Sequence, residues 1–203
     1  MCGKPPLAML KEPSHLRVIR GGENSSPPDG TARPAALVSD DFDAIFKRYS
    51  PYVAAIGCKL LGRDDELDDL VQDVFLEAHR GLARIRDAAA LKSWLATITV
   101  RRASRRLRRQ KLWTWTKPGP PLDPGDIVDP AATPEERTHV ALTYRLLDRL
   151  PTGLRVVWVL HHVEGESLDA IARLCACSKS TVQRRLRAAA KALEKRVSHV
   201  RDE

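Results

Sequence analysis

Twelve of the chain's fourteen prolines fall in two short stretches, and that distribution limits what the 203 residues can become. Six lie between residues 1 and 36 (Pro5, Pro6, Pro13, Pro27, Pro28, Pro34), around GGENSSPPDG, and six more lie in TKPGPPLDPGDIVDPAATP, from Thr116 to Pro134. Proline has no amide proton and its ring clashes with the preceding helical turn, so a segment this dense in it holds no packed element. The first stretch reads as a disordered tail, residues 1–36, too poor in apolar surface to offset the entropy of ordering it. The second reads as a linker, residues 113–133. The two remaining stretches, 37–112 and 134–203, are each long enough for a small domain.

Both carry apolar residues at helical spacing, and neither shows strand alternation. Phe42, Ile45, Phe46, Tyr49, Val53, Ile56 and Leu60 mark a first helix, which Pro51 is expected to kink or divide. A second is predicted from an Asp64 cap, with Leu67, Leu70, Val71, Val74 and Ala78 as its buried stripe and Gly81 as its stop. A third runs from about Ala88 to Lys111, apolar at Leu91, Trp94, Leu95 and Ile98 before it turns basic. In the second stretch Thr133, Pro134 and Glu136 spell a capping box, and Val140, Tyr144 and Leu147 give the helix a face. Pro151 ends it, and Leu154, Val157, Trp158 and His161 line the next. Gly165 then breaks the chain, Ser167 caps a helix holding Ile171 and Leu174, and Ser178 caps a last one holding Val182, Leu186, Ala189 and Leu193. The predicted fold is all-α: two small helical domains joined by a Pro-rich linker, the second ending in a helix-turn-helix.

A net charge of +8 favours a polyanionic partner, either nucleic acid or a membrane surface. The N-terminal apolar patch is too short for a signal-peptide core and the longest interior apolar run is VVWVL, so no membrane insertion is expected. Cys2, Cys58, Cys175 and Cys177 are too sparse and irregular for a disulfide framework, which suits a reducing cytoplasm. A zinc site of His161, His162, Cys175 and Cys177 is a competing reading. Against it, a one-residue gap between the cysteines is not the usual metal spacing, and Cys177 occupies an apolar slot of the helix-turn-helix. No metal, no cofactor and no catalytic centre is expected: there is no P-loop, HExxH or Ser/His/Asp grouping.

Three groups of residues suggest binding. In SLDAIARLCACSKSTVQRRL the second helix directs Lys179, Ser180, Gln183, Arg184 and Arg187 outward, and Gln and Arg can pair bidentately with adenine and guanine edges. The turn carries CAC where glycine is usual. In VRRASRRLRRQKLWTW, Arg101, Arg105 and Arg108 form one helical row and Arg102, Arg106 and Arg109 the next, a continuous face that repels itself without an anion. Trp113 and Trp115 follow, as stacking platforms or as a cap on the core. Asp69, Gln72 and Asp73 form a third, acidic row opposite the apolar stripe of the second helix.

In this order the pieces resemble a bacterial sigma factor of the extracytoplasmic-function (ECF) type, over about residues 41–196. DDLVQDVFLEAHRGL is similar to that family's polymerase-binding helix, LKSWLATI to the start of its −10 helix, and LDRLPTGLRVVWVLHHVEGESLDAIARLCACSKSTVQRRLRAAAKAL to its −35-binding domain. The resemblance implies that Asp69, Gln72 and Asp73 engage core RNA polymerase. It implies that Arg101, Arg102, Arg105, Arg106, Arg108 and Arg109, with the loop before their helix, hold the melted −10 strand of promoter DNA. Lys179, Ser180, Thr181, Gln183, Arg184 and Arg187 would read the −35 element. Asp123, Asp126 and Asp129 of the linker would thread toward the polymerase catalytic centre, and an anti-sigma partner would fit the same reading. Arg101 and Arg105 stand where many family members have Asn and an acid, and TVQRRL departs from the usual form, so no promoter sequence carries over. The alternatives are a stand-alone helix-turn-helix regulator and an accessory sigma-like protein.

Overall fold

Side-chain caps start three of the helices in the computed structural model, which describes residues 42–63, 65–82, 85, 87–114 and 133–201. The expected tail, Cys2, the Asp64 cap, Trp115 and the three linker aspartates lie outside the described residues, as does the side chain of Trp113. The helices are α1 (Phe42–Leu61), α2 (Leu67–Gly81), α3 (Leu91–Thr114), α4 (Pro134–Asp148), α5 (Thr152–His162), α6 (Leu168–Leu174) and α7 (Lys179–Arg201), with a 3-10 turn over Ala88–Ala90. No strand occurs among the described residues.

Pro51 neither divides nor ends α1. The bond it forfeits is to the carbonyl of Lys47, and both residues are exposed, so water can take the amide's place. At α4 the capping box is complete: the Glu136 amide donates to the Thr133 hydroxyl at 3.3 Å, and the Thr133 amide donates to Glu136 Oε2 at 2.8 Å. Ser167 Oγ accepts from the Ala170 amide at 3.2 Å and Ser178 Oγ from the Thr181 amide at 3.2 Å, which starts α6 and α7.

The turn between α6 and α7 is a Schellman motif. The Cys177 amide donates to the Ala172 carbonyl at 3.0 Å and the Ala176 amide to Arg173 at 3.2 Å, with Ala176 at φ +49. Glycine is usual there because a Cβ strains the left-handed backbone. Replacing Ala176 with Gly should therefore stabilise the fold by about 0.5–1 kcal/mol, the relieved strain exceeding the added unfolded-state entropy. Urea unfolding checks this, and a lowered midpoint would contradict the geometry.

Helices α1, α2 and α3 pack pairwise into one unit; in the other, α4, α5 and α6 gather on α7. The two units share a continuous core, because α3 also packs on α5 and α6, and α1 on α5. Helix α3 can serve both sides because it buries two adjacent stripes, Leu91, Leu95 and Ile98, then Ala96, Val100, Ala103 and Leu107. Each fully buried Leu or Val contributes about 1.5–3 kcal/mol, so this one helix anchors much of the core.

Candidate nucleic-acid interface

The arginines of α3 do not form an unpaired face. Helix α2 carries Glu66 at its N-cap, then Asp73 and Glu77, on the side that meets α3 running the other way. Arg101 Nη2 donates to Glu77 Oε1 at 2.5 Å and Arg102 Nε to Glu77 Oε2 at 2.7 Å. Arg106 Nη2 donates to Asp73 Oδ2 at 2.6 Å and its Nη1 to Glu66 Oε2 at 3.3 Å, while Gln110 Nε2 reaches Glu66 Oε1 at 3.2 Å. The self-repelling face read from the sequence is thus corrected: α2 supplies the anions, and Arg105, Arg108 and Arg109 stay exposed. Arg101 keeps half of its side chain in solvent, Arg102 about a quarter, and Arg106 only a tenth.

Burial works against the charge on Arg106, but its hydrogen bonds to Asp73 and Glu66 outweigh that and raise its pKa. Arg106 therefore braces α3 against α2. Arg106→Ala would leave two carboxylates without their cation at this joint and should lower the unfolding free energy by about 2 kcal/mol, given that Asp73 is partly solvated. Arg105→Ala, on the open side, should change it by less than about 0.5 kcal/mol. Equal unfolding midpoints for the two variants would contradict the assignment.

The acidic row of α2 divides in the same way. Asp69 and Gln72 are exposed, whereas Asp73 turns to Arg106 and also lies 4.0 Å from Arg102. Two exposed apolar residues that sequence reasoning passed over as docking candidates stand on α2 one turn beyond Gln72 and on α1 against Phe75. Leu76 is 52% exposed and Phe46 is 40% exposed, the Phe46 ring lying 4.8 Å from Phe75, edge on. Leu76 was legible as an apolar residue off the buried stripe.

Where α2 ends and α3 begins, an open groove of about 730 Å³ is lined by Glu77, Arg80, Gly81, Ile85, Asp87, Ala90 and Trp94. Trp94, expected in the core, is half-buried at its wall. A Cβ on Gly81 would come within 2.7 Å of the indole, so glycine is what allows the ring to lie against the end of α2. The groove thus offers an aromatic surface, an arginine and two carboxylates, one of which, Glu77, pairs with Arg101 of α3.

In the second unit Ile171, Val182, Ala189 and Leu193 are buried and Leu186 is half-buried, which fixes the outward face of α7. Lys179, Ser180, Arg184 and Arg187 are exposed, and Thr181 and Gln183 half-buried. Lys179 Nζ holds Asp169 Oδ2 at 2.8 Å, and the hydroxyls of Ser180 and Thr181 each lie 2.9 Å from Ser178 Oγ. Arg185 turns inward, its Nη1 3.9 Å from Cys177 Sγ.

Burial raises the Cys175 thiol to about 11, with Cys177 adding to it, so it remains protonated and poorly nucleophilic at neutral pH. The His161 and His162 rings meet edge to face, their centres 4.8 Å apart. Among the described residues no set of three or more His, Cys, Asp or Glu side chains converges on a metal position.

Two helical units, the second presenting basic and amide side chains on the outer helix of a helix-turn-helix, form a DNA-binding arrangement. Family comparison agrees. A model of sigma-70 region 2 matches residues 45–112, and one of sigma-70 region 4 matches residues 141–193. The ECF RNA polymerase sigma factor SigM of Mycobacterium tuberculosis is 33% identical over 156 residues, covering 74% of this chain and 76% of the relative. The ECF RNA polymerase sigma-E factor of Escherichia coli K12 is 26% identical over 168 residues, 77% and 86% of the two chains. Among solved structures, CnrH in complex with the cytosolic domain of CnrY superposes with a TM-score of 0.52 at 22% identity, over 80% and 90% of the chains. RpoE of Bartonella quintana, bound to the anti-sigma factor NepR, gives 0.54 at 20% identity, over 77% and 96%. The chain belongs to the sigma-70 family, in its ECF group. Proteins of this family direct RNA polymerase to promoters, and that is the activity its two regions serve. Among the described residues no helix is long and apolar enough to cross a membrane.

Proposed function

We propose that this chain works entirely by binding in the cytoplasm, as the promoter-selecting subunit of RNA polymerase, with the labour divided between its two units. Asp69 and Gln72, with Leu76 and Phe46 as an apolar centre, dock on a basic surface of core polymerase. Asp73 contributes through Arg106, by setting the angle of α3. Arg105, Arg108 and Arg109, flanked by Arg101 and Arg102, hold the phosphates of the melted −10 strand while the groove beside Trp94 takes an unstacked base. Gln183, Arg184 and Arg187 read the −35 element, and Lys179, Ser180 and Thr181 seat the start of α7 on its backbone. A protein partner that restrains the two units, as CnrY and NepR accompany the structural relatives, belongs to the same reading.

The observation that carries it is the outward Gln/Arg face of α7 in a chain matching both sigma regions in order. Gel filtration with core polymerase, followed by promoter binding with and without core, tests it. A stoichiometric complex that binds promoter DNA far better than the free protein is expected. Tight, specific duplex binding by the free protein with no polymerase complex would favour the stand-alone regulator.

A further inference from the structure

Glu77 belongs both to the groove beside Trp94 and to the arginine face of α3. Each of its carboxylate oxygens serves a different guanidinium: Oε1 accepts from Arg101 Nη2 at 2.5 Å and Oε2 from Arg102 Nε at 2.7 Å, with Arg102 Nη2 2.6 Å away. A backbone phosphate held by two arginines makes the same charge-assisted bonds. Burial sets these pairs apart from the Arg106 brace. Arg106 keeps only a tenth of its side chain in solvent, whereas Arg101 keeps half, and Arg102 and Glu77 a little over a quarter each. Pairs this open contribute little to stability, so another anion can replace Glu77 at small cost. Arg105, Arg108 and Arg109 differ again: they are exposed, and no ion pair among the described residues occupies them.

We infer that Glu77 sets selectivity for the −10 strand: its carboxylate stands in for a phosphate and withholds Arg101 and Arg102 from any strand whose base does not seat in the groove. The inference rests on the sigma-factor reading. A carboxylate carried on α2 competes at the effective concentration of an intramolecular group, which the phosphate of a passing strand does not match. Such a strand is held by Arg105, Arg108 and Arg109 alone. A nucleotide whose base lies against Trp94 is tethered as Glu77 is, beside the same two arginines, because the residue that lines the groove is the one that pairs with them. Its phosphate then displaces the carboxylate, which is open enough to solvent to regain its hydration, and Arg101 and Arg102 close on the strand. Phosphate contacts by themselves carry no sequence information. Made conditional on a seated base, two of them add to the discrimination that the groove begins.

Fluorescence anisotropy on the full chain assembled with core polymerase tests this, using two labelled single strands of equal length. One is the non-template −10 strand of a promoter that the protein is found to use, and the other carries the same bases scrambled. Glu77→Gln keeps the size of the side chain and removes its charge. The variant should bind the scrambled strand about tenfold more tightly, the gain expected for a freed charge-assisted contact, and the −10 strand less than about threefold more tightly, so that its preference falls. Its salt slope on the scrambled strand should steepen by about 0.7 for each phosphate gained, which a merely loosened joint between α2 and α3 would not produce. A slope and a preference equal to wild type, or an equal gain on both strands, overturns the inference. Should E77Q fail to fold, Arg101→Gln decides: it should weaken binding of the −10 strand several times more than binding of the scrambled one, and equal losses overturn the inference. Should the wild-type chain not join core polymerase, the sigma-factor reading falls instead. The free chain on the scrambled strand then judges Glu77 by itself, and a salt slope unchanged by E77Q overturns its role.

Discussion

Replacing Arg184 with Ala should lower run-off transcription from a promoter that depends on its −35 element by about tenfold or more, the loss expected for one bidentate base contact. Arg184 is exposed on the outward face of α7, and no intramolecular bond of its side chain is found among the described residues, so the substitution leaves the fold as it is. Two signatures separate the kinds of contact it could make. Loss of a base contact relaxes the preference at one position of the element. Loss of a phosphate contact weakens all sequences alike and lowers the salt slope by about one. The same pair of measurements on Arg187→Ala completes the map. Unchanged transcription from both variants would remove α7 from promoter recognition.

Asp69→Lys should weaken binding to core polymerase by roughly thirtyfold, since like charges brought together at an interface cost a few kcal/mol. Asp69 is exposed and makes no bond within the described structure, so the melting temperature of the free protein should not move. Asp73→Lys behaves differently. It would place a cation against Arg106, whose Nη2 now donates to Asp73 at 2.6 Å, and the variant should lose stability as well as affinity. Fluorescence-detected binding to labelled core, paired with thermal melts of the free variants, distinguishes the two. Wild-type affinity in Asp69→Lys would sink the docking assignment.

The contrast between Asp69 and Asp73 shows what was legible in the sequence and what was not. Caps are local, so Thr133, Ser167 and Ser178 announce their helices through the two or three residues that follow, and the structure places a helix start at each. The stripe of α2 and the outward face of α7 follow from period alone. Pairing between helices is not local. Glu66, Asp73 and Glu77 look like solvated acids until α3 runs antiparallel beside them, and the arginines look unpaired for the same reason. The second buried stripe of α3, Ala96, Val100, Ala103 and Leu107, is interleaved with those arginines and so escaped notice. Arg155 lies in the apolar run LRVVWVL, where one charge reads as an interruption, and its partners are carbonyls 94 and 95 positions away. Ala176 was legible as a missing glycine, but only the backbone angle shows that the turn keeps the glycine conformation without the glycine.

The central claim is that this chain gives RNA polymerase its choice of promoter, and transcription in vitro tests it most directly. Purified core polymerase would be given a fragmented genomic library with and without the protein, and the start sites mapped. New starts that appear only with the protein and share two upstream elements at fixed spacing are the predicted result. Start sites unchanged by the protein, although it binds duplex DNA tightly by itself, would contradict the account and leave α7 as the reading head of a regulator.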